Sequence, residues 1–335
     1  MLPYRKILVT GATGFLGGRL AEWLVEQGVE VVATGRKWHT GNAIAGGSVD
    51  MVSADLTEPS QAKLLVRGCA AVVHAAALSS PWGREEDFVK ANILATRYLL
   101  AAAAEAGVKR FVFISTPSIY FNYKNRLNIR EDDALPNPMI NAYARTKYEA
   151  EKLVLASPLQ TIALRPRAII GRGDRVIMPR LLKAYHAGRL KRIGNGQNVA
   201  DLTPVRNVVH AVACALQAPK DAQGQAYNIS AGGPVNLWQA IDEVLDHLGL
   251  EPVKGRVPLA VAIAAATIME WIGLLTGKEP VLTRYSVGIL AQSMSLNIDK
   301  AREKLGYEPL QTTQEALKEF ADWWLTLSEE EKQNL

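Results

Sequence analysis

Three glycines spaced three apart, Gly11, Gly14 and Gly17, follow a short apolar run at residues 6–10 (KILVT) and lead into helical spacing at residues 15–27 (FLGGRLAEWLVEQ). A strand that turns in this way into a helix offers a backbone with no Cβ in the way. It also offers unpaired helix N–H groups and the positive end of the helix dipole, which together suit a phosphate anion. The last glycine lets the helix pack closely on the strand. The spacing is GxxGxxG, not GxGxxG, and three glycines alone would be a weak signal, since a tight turn needs them too. Their position between a strand and a helix predicts a dinucleotide site, with Gly11, Thr13, Gly14, Phe15, Leu16 and Gly17 against the cofactor.

The same beat recurs downstream. Apolar runs at residues 30–34 (EVVAT), 70–77 (AAVVHAAA), 110–115 (RFVFIS) and 161–166 (TIALRP) lack period-two alternation and are separated by stretches of helical spacing, including 98–107 and 143–155. This pattern predicts an α/β fold built on a doubly wound parallel sheet covered on both faces. After residue 166 the beat weakens. Pro and Gly punctuate residues 171–180 (GRGDRVIMPR) and 188–198 (GRLKRIGNGQN), and the last third is mostly helical, ending in an amphipathic stretch at 315–327. The expected organisation is a dinucleotide-binding domain at 1–166, with about 201–230 returning to it, and a smaller, mostly helical C-terminal substrate lobe at 167–200 and 231–335.

Composition excludes several classes. With 335 residues, 48% of them hydrophobic, the chain can bury a large core, and neither disorder nor a disulfide scaffold fits. The 38 Lys+Arg against 33 Asp+Glu give a net charge of +5, spread without runs, which argues against nucleic acid and mildly for anionic small ligands. Cys69 and Cys214 lie far apart and the five histidines show no pairing at helical spacing, so no metal site is expected and a reducing, cytoplasmic setting is. The opening MLPYRKILVTGATG has no signal-peptide pattern. Residues 257–277 (VPLAVAIAAATIMEWIGLLTG) are long and apolar enough to span a bilayer, but Pro258 and Glu270 interrupt them. They read as a buried or substrate-covering helix, with any membrane contact at most peripheral and Trp271 suited to an interface.

Cofactor choice turns on the end of the second strand. NAD-binding chains place there a carboxylate that accepts from the ribose 2′-OH; this one has Thr34, Gly35, Arg36 and Lys37. A 2′-phosphate suits Arg36, so NADP(H) is preferred over NAD(H). Asp55, after the third strand, stands where an acid could accept from the adenine amino group or cap the next helix. Tyr143 and Lys147 (YARTK) are four apart and share a helix face. An ammonium beside a phenol favours the phenolate, which makes Tyr143 a candidate proton donor or base toward a carbonyl or alcohol.

Together these motifs resemble the extended short-chain dehydrogenase/reductases over essentially the whole chain, through TGATGFLG, Asp55-Leu56, HAAA (His74, Ala75, Ala76, Ala77), ANILAT around Asn92, FISTPSIY and YARTK. The resemblance implies a Rossmann sheet and a catalytic set of Thr116, Tyr143 and Lys147. In it Thr116 orients the substrate oxygen, Tyr143 transfers a proton and Lys147 holds the nicotinamide ribose. It further implies that Leu56, Ala75, Ala76, Ala77, Asn92, Ser115, Pro166 and Ala168 line or support the cofactor. His74 reads as structural.

The branch follows from departures. Where nucleotide-sugar epimerases carry an arginine in GxGxxxRDFxxVxD, this chain has GNGQNVADLTPVRN, with Ala200 in the arginine's place; sugar-nucleotide dehydratases have Asp-Glu after the threonine, and here Pro117 and Ser118 follow. The remaining motifs, STPS, ALRPR, GRGD, MPRL, LTR (residues 282–284) and KAREKLGYEP, resemble the 3β-hydroxysteroid dehydrogenase/isomerase-like branch, most nearly the bacterial 2-alkyl-3-oxoalkanoate reductases. The activity this implies is NADPH-dependent reduction of a ketone, or oxidation of a secondary alcohol, on an apolar substrate such as a β-keto acid or sterol. The alternatives are a nucleotide-sugar epimerase and a non-catalytic dinucleotide-binding protein. The RGD at 172–174 reads as a loop turn. Family likeness also implies a homodimer through the helices at 85–106 and 143–155.

Overall fold

The computed structural model describes residues 2–38, 44, 46–333 and 335. Its centre is a parallel sheet of β1 (Lys6–Thr10), β2 (Glu30–Gly35), β3 (Val49–Ser53), β4 (Ala71–His74), β5 (Arg110–Ile114), β6 (Gln160–Pro166) and β7 (Gln225–Ile229), in the spatial order β7-β6-β5-β4-β1-β2-β3. The strands read as unbroken apolar runs because both faces are covered. Within β1, Ile7 and Val9 join a core with Leu20, Val212 and Tyr227, whereas Leu8 joins the opposite core with Leu99, Phe111 and Val154. On the first face lie α1 (Phe15–Glu26) and Val205–Gln217; on the second lie α2 (Ala95–Glu105) and α3 (Ala142–Leu155). Residues 205–229 thus return to the sheet after the chain has left it, with β7 pairing in parallel to β6.

The remaining C-terminal part is mostly helical, as the fading strand beat implies. Its short strands escape periodicity because they are too brief to alternate. Arg126–Ile129, Met294–Leu296, Val199–Ala200 and Val235–Asn236 form one small mixed sheet. Above it, Trp238, Leu182, Leu317 and Phe320 form a separate core.

One expectation is corrected here: residues 257–277 do not form a buried helix, since in α4 (Leu259–Thr276) only Ala262, Ala266 and Gly273 are buried. The segment is largely apolar, and it meets the rest of the lobe through this small-residue stripe, Leu259 and the Glu270 side chain.

Candidate active site

Strand order reverses between β1 and β4, so the loops leaving their C-terminal ends diverge and open a crevice. The glycine turn, the loop after His74, Ser115-Thr116 after β5 and the 166–168 segment after β6 all border this edge of the sheet.

The glycine turn is packed closely against the protein's own backbone at two of its glycines. Gly11 has φ +70°, and a Cβ there would lie 2.8 Å from Ala76 N; one on Gly17 would lie 2.2 Å from Gly11 O. Gly14 caps α1 with no side-chain acceptor, leaving the helix N–H groups for an anion. A cavity of about 240 Å³ in front of the turn is lined by Thr13, Gly14, Phe15, Arg19, Arg172 and Arg175. A bare cradle with guanidinium groups across from it fits a dinucleotide diphosphate. Arg172 and Arg175 bring to the cradle a segment that the sequence marked only as a turn. Asp174 between them is structural, its carboxylate accepting from Val176 N (2.8 Å) and Met178 N (3.0 Å).

Arg36 lies exposed directly after β2, and no carboxylate stands among residues 34–37. Asp55 takes the local role: its Oδ1 accepts from Thr57 N (2.9 Å) and Thr57 Oγ1 (2.8 Å), bonds that, with a smaller Arg36 contribution, hold the carboxyl below its usual range. Leu56 beside it is buried in the core. His74 is structural, as expected. Its ring bonds to Thr10 Oγ1 (2.7 Å) and Thr96 Oγ1 (3.0 Å), and complete burial lowers its pKa to about 3, so it stays neutral. Thr10 Oγ1 in turn accepts from Ala76 N at 3.1 Å, fixing the Ala75–Ala77 loop over the glycine turn.

Asn92 sits on a single π-helical stretch, Val89–Leu94, a widening that often marks functional sites. Its Oδ1 accepts from Leu78 N (2.8 Å) and its Nδ2 donates to Thr146 Oγ1 (3.1 Å), so one buried amide ties the β4 loop to α3. Ser115 is buried with its hydroxyl unpartnered among the described residues, an orphan that a bound dinucleotide can satisfy. Pro166 ends β6, and Ala168 holds φ +42°, a left-handed conformation unusual for a residue with a Cβ.

The proposed catalytic side chains converge, but not in the arrangement expected. Asn141 caps α3, its Oδ1 accepting from Ala144 N at 2.8 Å, and this fixes the first turn that carries Tyr143. The Tyr143 phenol faces the Ser79 and Thr116 hydroxyls, yet burial outweighs both and raises its pKa above the usual phenol value. Lys147, one turn on, is buried; its Nζ donates to Ile114 O at 2.6 Å and rests 4.0 Å from the centre of the Phe113 ring. Burial lowers its pKa to about 7, against an opposing pull from Glu151. The picture of an ammonium acidifying the phenol is therefore corrected: both groups are pushed toward their neutral forms, because taking a charge out of water outweighs the charges nearby.

Thr116 also caps the 3₁₀ turn Pro117–Tyr120, its Oγ1 accepting from Ser118 N (3.2 Å) and donating to Ser118 Oγ (3.0 Å). Ser118 Oγ hydrogen-bonds the Tyr285 hydroxyl at 2.9 Å, and Tyr143 lies close enough to Tyr285 to add to the burial that raises the Tyr285 pKa. Tyr285 comes from α5 (Arg284–Ala291), directly after the LTR motif, and sequence reasoning did not single it out; nor did it single out Ser79. Ala200 is buried in the core of the small lobe. No cluster of His, Cys, Asp and Glu among the described residues could hold a metal.

The pattern of the "NAD dependent epimerase/dehydratase family" matches residues 7–230. The chain is 34% identical to a 2-alkyl-3-oxoalkanoate reductase of Stenotrophomonas maltophilia over 323 residues, 93% of this chain and 97% of the relative. It is 33% identical over 348 residues to an Arabidopsis thaliana 3beta-hydroxysteroid-dehydrogenase/decarboxylase, covering 95% of this chain and 79% of the relative. The crystal structure of UDP-glucuronic acid 4-epimerase from Bacillus cereus, in complex with NAD, superposes with a TM-score of 0.75 at 23% identity, covering 95% and 98% of the two chains, a likeness of fold. The chain belongs to the NAD dependent epimerase/dehydratase family, the extended short-chain dehydrogenase/reductases, and is a nicotinamide-dependent oxidoreductase.

Proposed function

We propose that this protein reduces a ketone on an apolar substrate of the β-keto acid or sterol kind, or oxidises the matching alcohol, with NADP(H) as the preferred cofactor. The observation that carries this reading is the convergence of the Tyr143 phenol with the Thr116 and Ser79 hydroxyls beside the end of β5, a turn away from buried Lys147. NADPH supplies a hydride to the carbonyl carbon. The chain's own task is to hold the carbonyl oxygen between Thr116 and Tyr143 and to deliver a proton to it from the phenol.

With its pKa raised by burial, the Tyr143 phenol is protonated at neutral pH and available as a donor. The Ser79 and Thr116 hydroxyls face the phenol and favour the phenolate left after transfer, and Thr116 is itself bonded through Ser118 to Tyr285. The S. maltophilia and A. thaliana relatives, named for a 2-alkyl-3-oxoalkanoate and a 3beta-hydroxysteroid, support the apolar class. Ala200, buried in the lobe's core, speaks against the epimerase reading, because that position itself has no guanidinium to offer a sugar nucleotide's diphosphate. Retention of both Tyr143 and Lys147 speaks against a non-catalytic binder. Arg36 supports the 2′-phosphate, and the absence of disulfides fits a cytoplasmic enzyme.

The test is NADPH oxidation, followed by absorbance, across β-keto acids, sterol ketones and small aldehydes. Turnover confined to the long apolar ketones supports the proposal, whereas tight NAD with epimerisation of UDP-sugars overturns it. We also infer a homodimer through α2 and α3, which a monomeric solution mass would refute.

A further inference from the structure

The helix α4 is anomalous for a surface in water. Val261, Ile268, Trp271, Ile272 and Leu275 recur at the spacing of one helical face, and all are exposed, Trp271 by 65% and Leu275 by 85%. The opposite stripe, Ala262, Ala266 and Gly273, meets the lobe. Polar atoms are withdrawn from the outer face. Glu270, the helix's one charged residue, turns to Arg284, accepting from its backbone N and its Nε at 2.7 Å each, and its side chain is 13% exposed. The Thr267 and Thr276 hydroxyls donate back to Ile263 O and Ile272 O, at 2.8 Å each. Internally satisfied polar groups under an outward apolar stripe are what a hydrocarbon environment demands.

Both ends of the helix are tied to the same lobe. Arg256–Val257, just before it, pairs with Arg192–Ile193, and after it the chain folds back so closely that a Cβ on Gly273 would lie 2.7 Å from the Pro280 ring. The helix therefore lies along a surface and does not pass through one. Its ends are basic: Arg256 and Lys191, which lies against Gly255, stand before it and Lys278 after it, all exposed with no ion-pair partner among the described residues. The nearby carboxylates are engaged, Asp242 with Arg192, Glu251 with Lys254 at 3.3 Å and Glu279 with Arg180 at 3.8 Å.

We propose that α4 is an in-plane anchor that seats this lobe on an anionic lipid bilayer, its Val261-to-Leu275 stripe entering the acyl boundary and the basic rim meeting the headgroups. The proposal stands independently of the substrate assignment. It is tested by floating the full-length protein with vesicles of phosphatidylcholine alone, or with about a third phosphatidylglycerol.

Wild-type protein is expected to float with the anionic vesicles about tenfold more than with the neutral ones, as a basic rim implies. The double variant Ile272→Glu/Leu275→Glu, with its melting temperature and NADPH binding preserved, stays at the bottom. Brominated lipids quench a fluorescence component that Trp271→Phe lacks. Failure of wild-type protein to float, or flotation untouched by the double variant, overturns the anchor. So does a solution dimer that the double variant splits while lipid never binds, since the stripe then belongs to a second copy of the chain.

Discussion

The helices α3 and α4, of 14 and 18 residues, divide the molecule's work between opposite chemistries. The first is rich in polar residues, yet Thr146, Lys147 and Glu151 are buried and bonded: Thr146 to Ala142 O, Lys147 to Ile114 O and Glu151 to Arg165. The second is nearly all apolar and largely exposed. Hydropathy alone would rank their burial the wrong way round. What decides burial is whether neighbouring elements supply partners: β5 and β6 present carbonyls and a guanidinium to α3, while little besides a stripe of small residues on α4 meets the protein.

Substitutions on α3 and its partners should therefore change chemistry, and those on the outer face of α4 should change location only. The largest effect is expected from Tyr143→Phe, which should lower turnover about a thousandfold while leaving NADPH affinity within twofold. Binding by fluorescence and single-turnover reduction check this, and a variant keeping a tenth of wild-type turnover would remove the phenol from its role. Lys147 should impose a pH signature. Because its pKa is lowered to about 7, it is charged below that value and neutral above it, so kcat/KM for reduction should fall as pH rises through this region, about tenfold per unit at the limit. Lys147→Met should abolish that inflection.

A smaller effect is expected at the cofactor's far end. Arg36→Ala should weaken NADPH about tenfold and leave NADH nearly unchanged, as titration calorimetry with each cofactor will show. Equal losses for both would detach Arg36 from the 2′-phosphate. Tyr285→Phe is expected to be milder still, about two- to tenfold in kcat, with normal cofactor binding, because it removes one hydrogen bond from the chain through Ser118 to Thr116. No change at all would make Tyr285 a wall of the site and nothing more.

The Rossmann half was legible because its signals are local: a glycine turn, apolar runs and two side chains on one helical face. Gly17 could be read from spacing, since the close approach to Gly11 O that forbids a Cβ there follows from strand, turn and helix in succession, whereas the approach of Ala76 to Gly11 comes from a distant loop. Tyr285 could not. It reaches Ser118 across 167 residues of sequence, and nothing in its neighbourhood announces the contact. Ser79 likewise acts from a loop that is placed only once Asn92 and Thr10 have bound its neighbours. The electrostatic error at Tyr143 has a similar origin: spacing shows that a lysine can reach a tyrosine, but only packing reveals that both lose water.

The π-helical stretch at Val89–Leu94 reconciles two demands on one rod. Deleting one residue from it would restore ordinary helical winding only by turning the segment beyond by about a quarter turn, carrying buried Leu99, Ala102 and Ala103 off the sheet. The extra residue therefore lets the Asn92 amide face Leu78 and Thr146 while the helix that follows keeps its apolar stripe on the core.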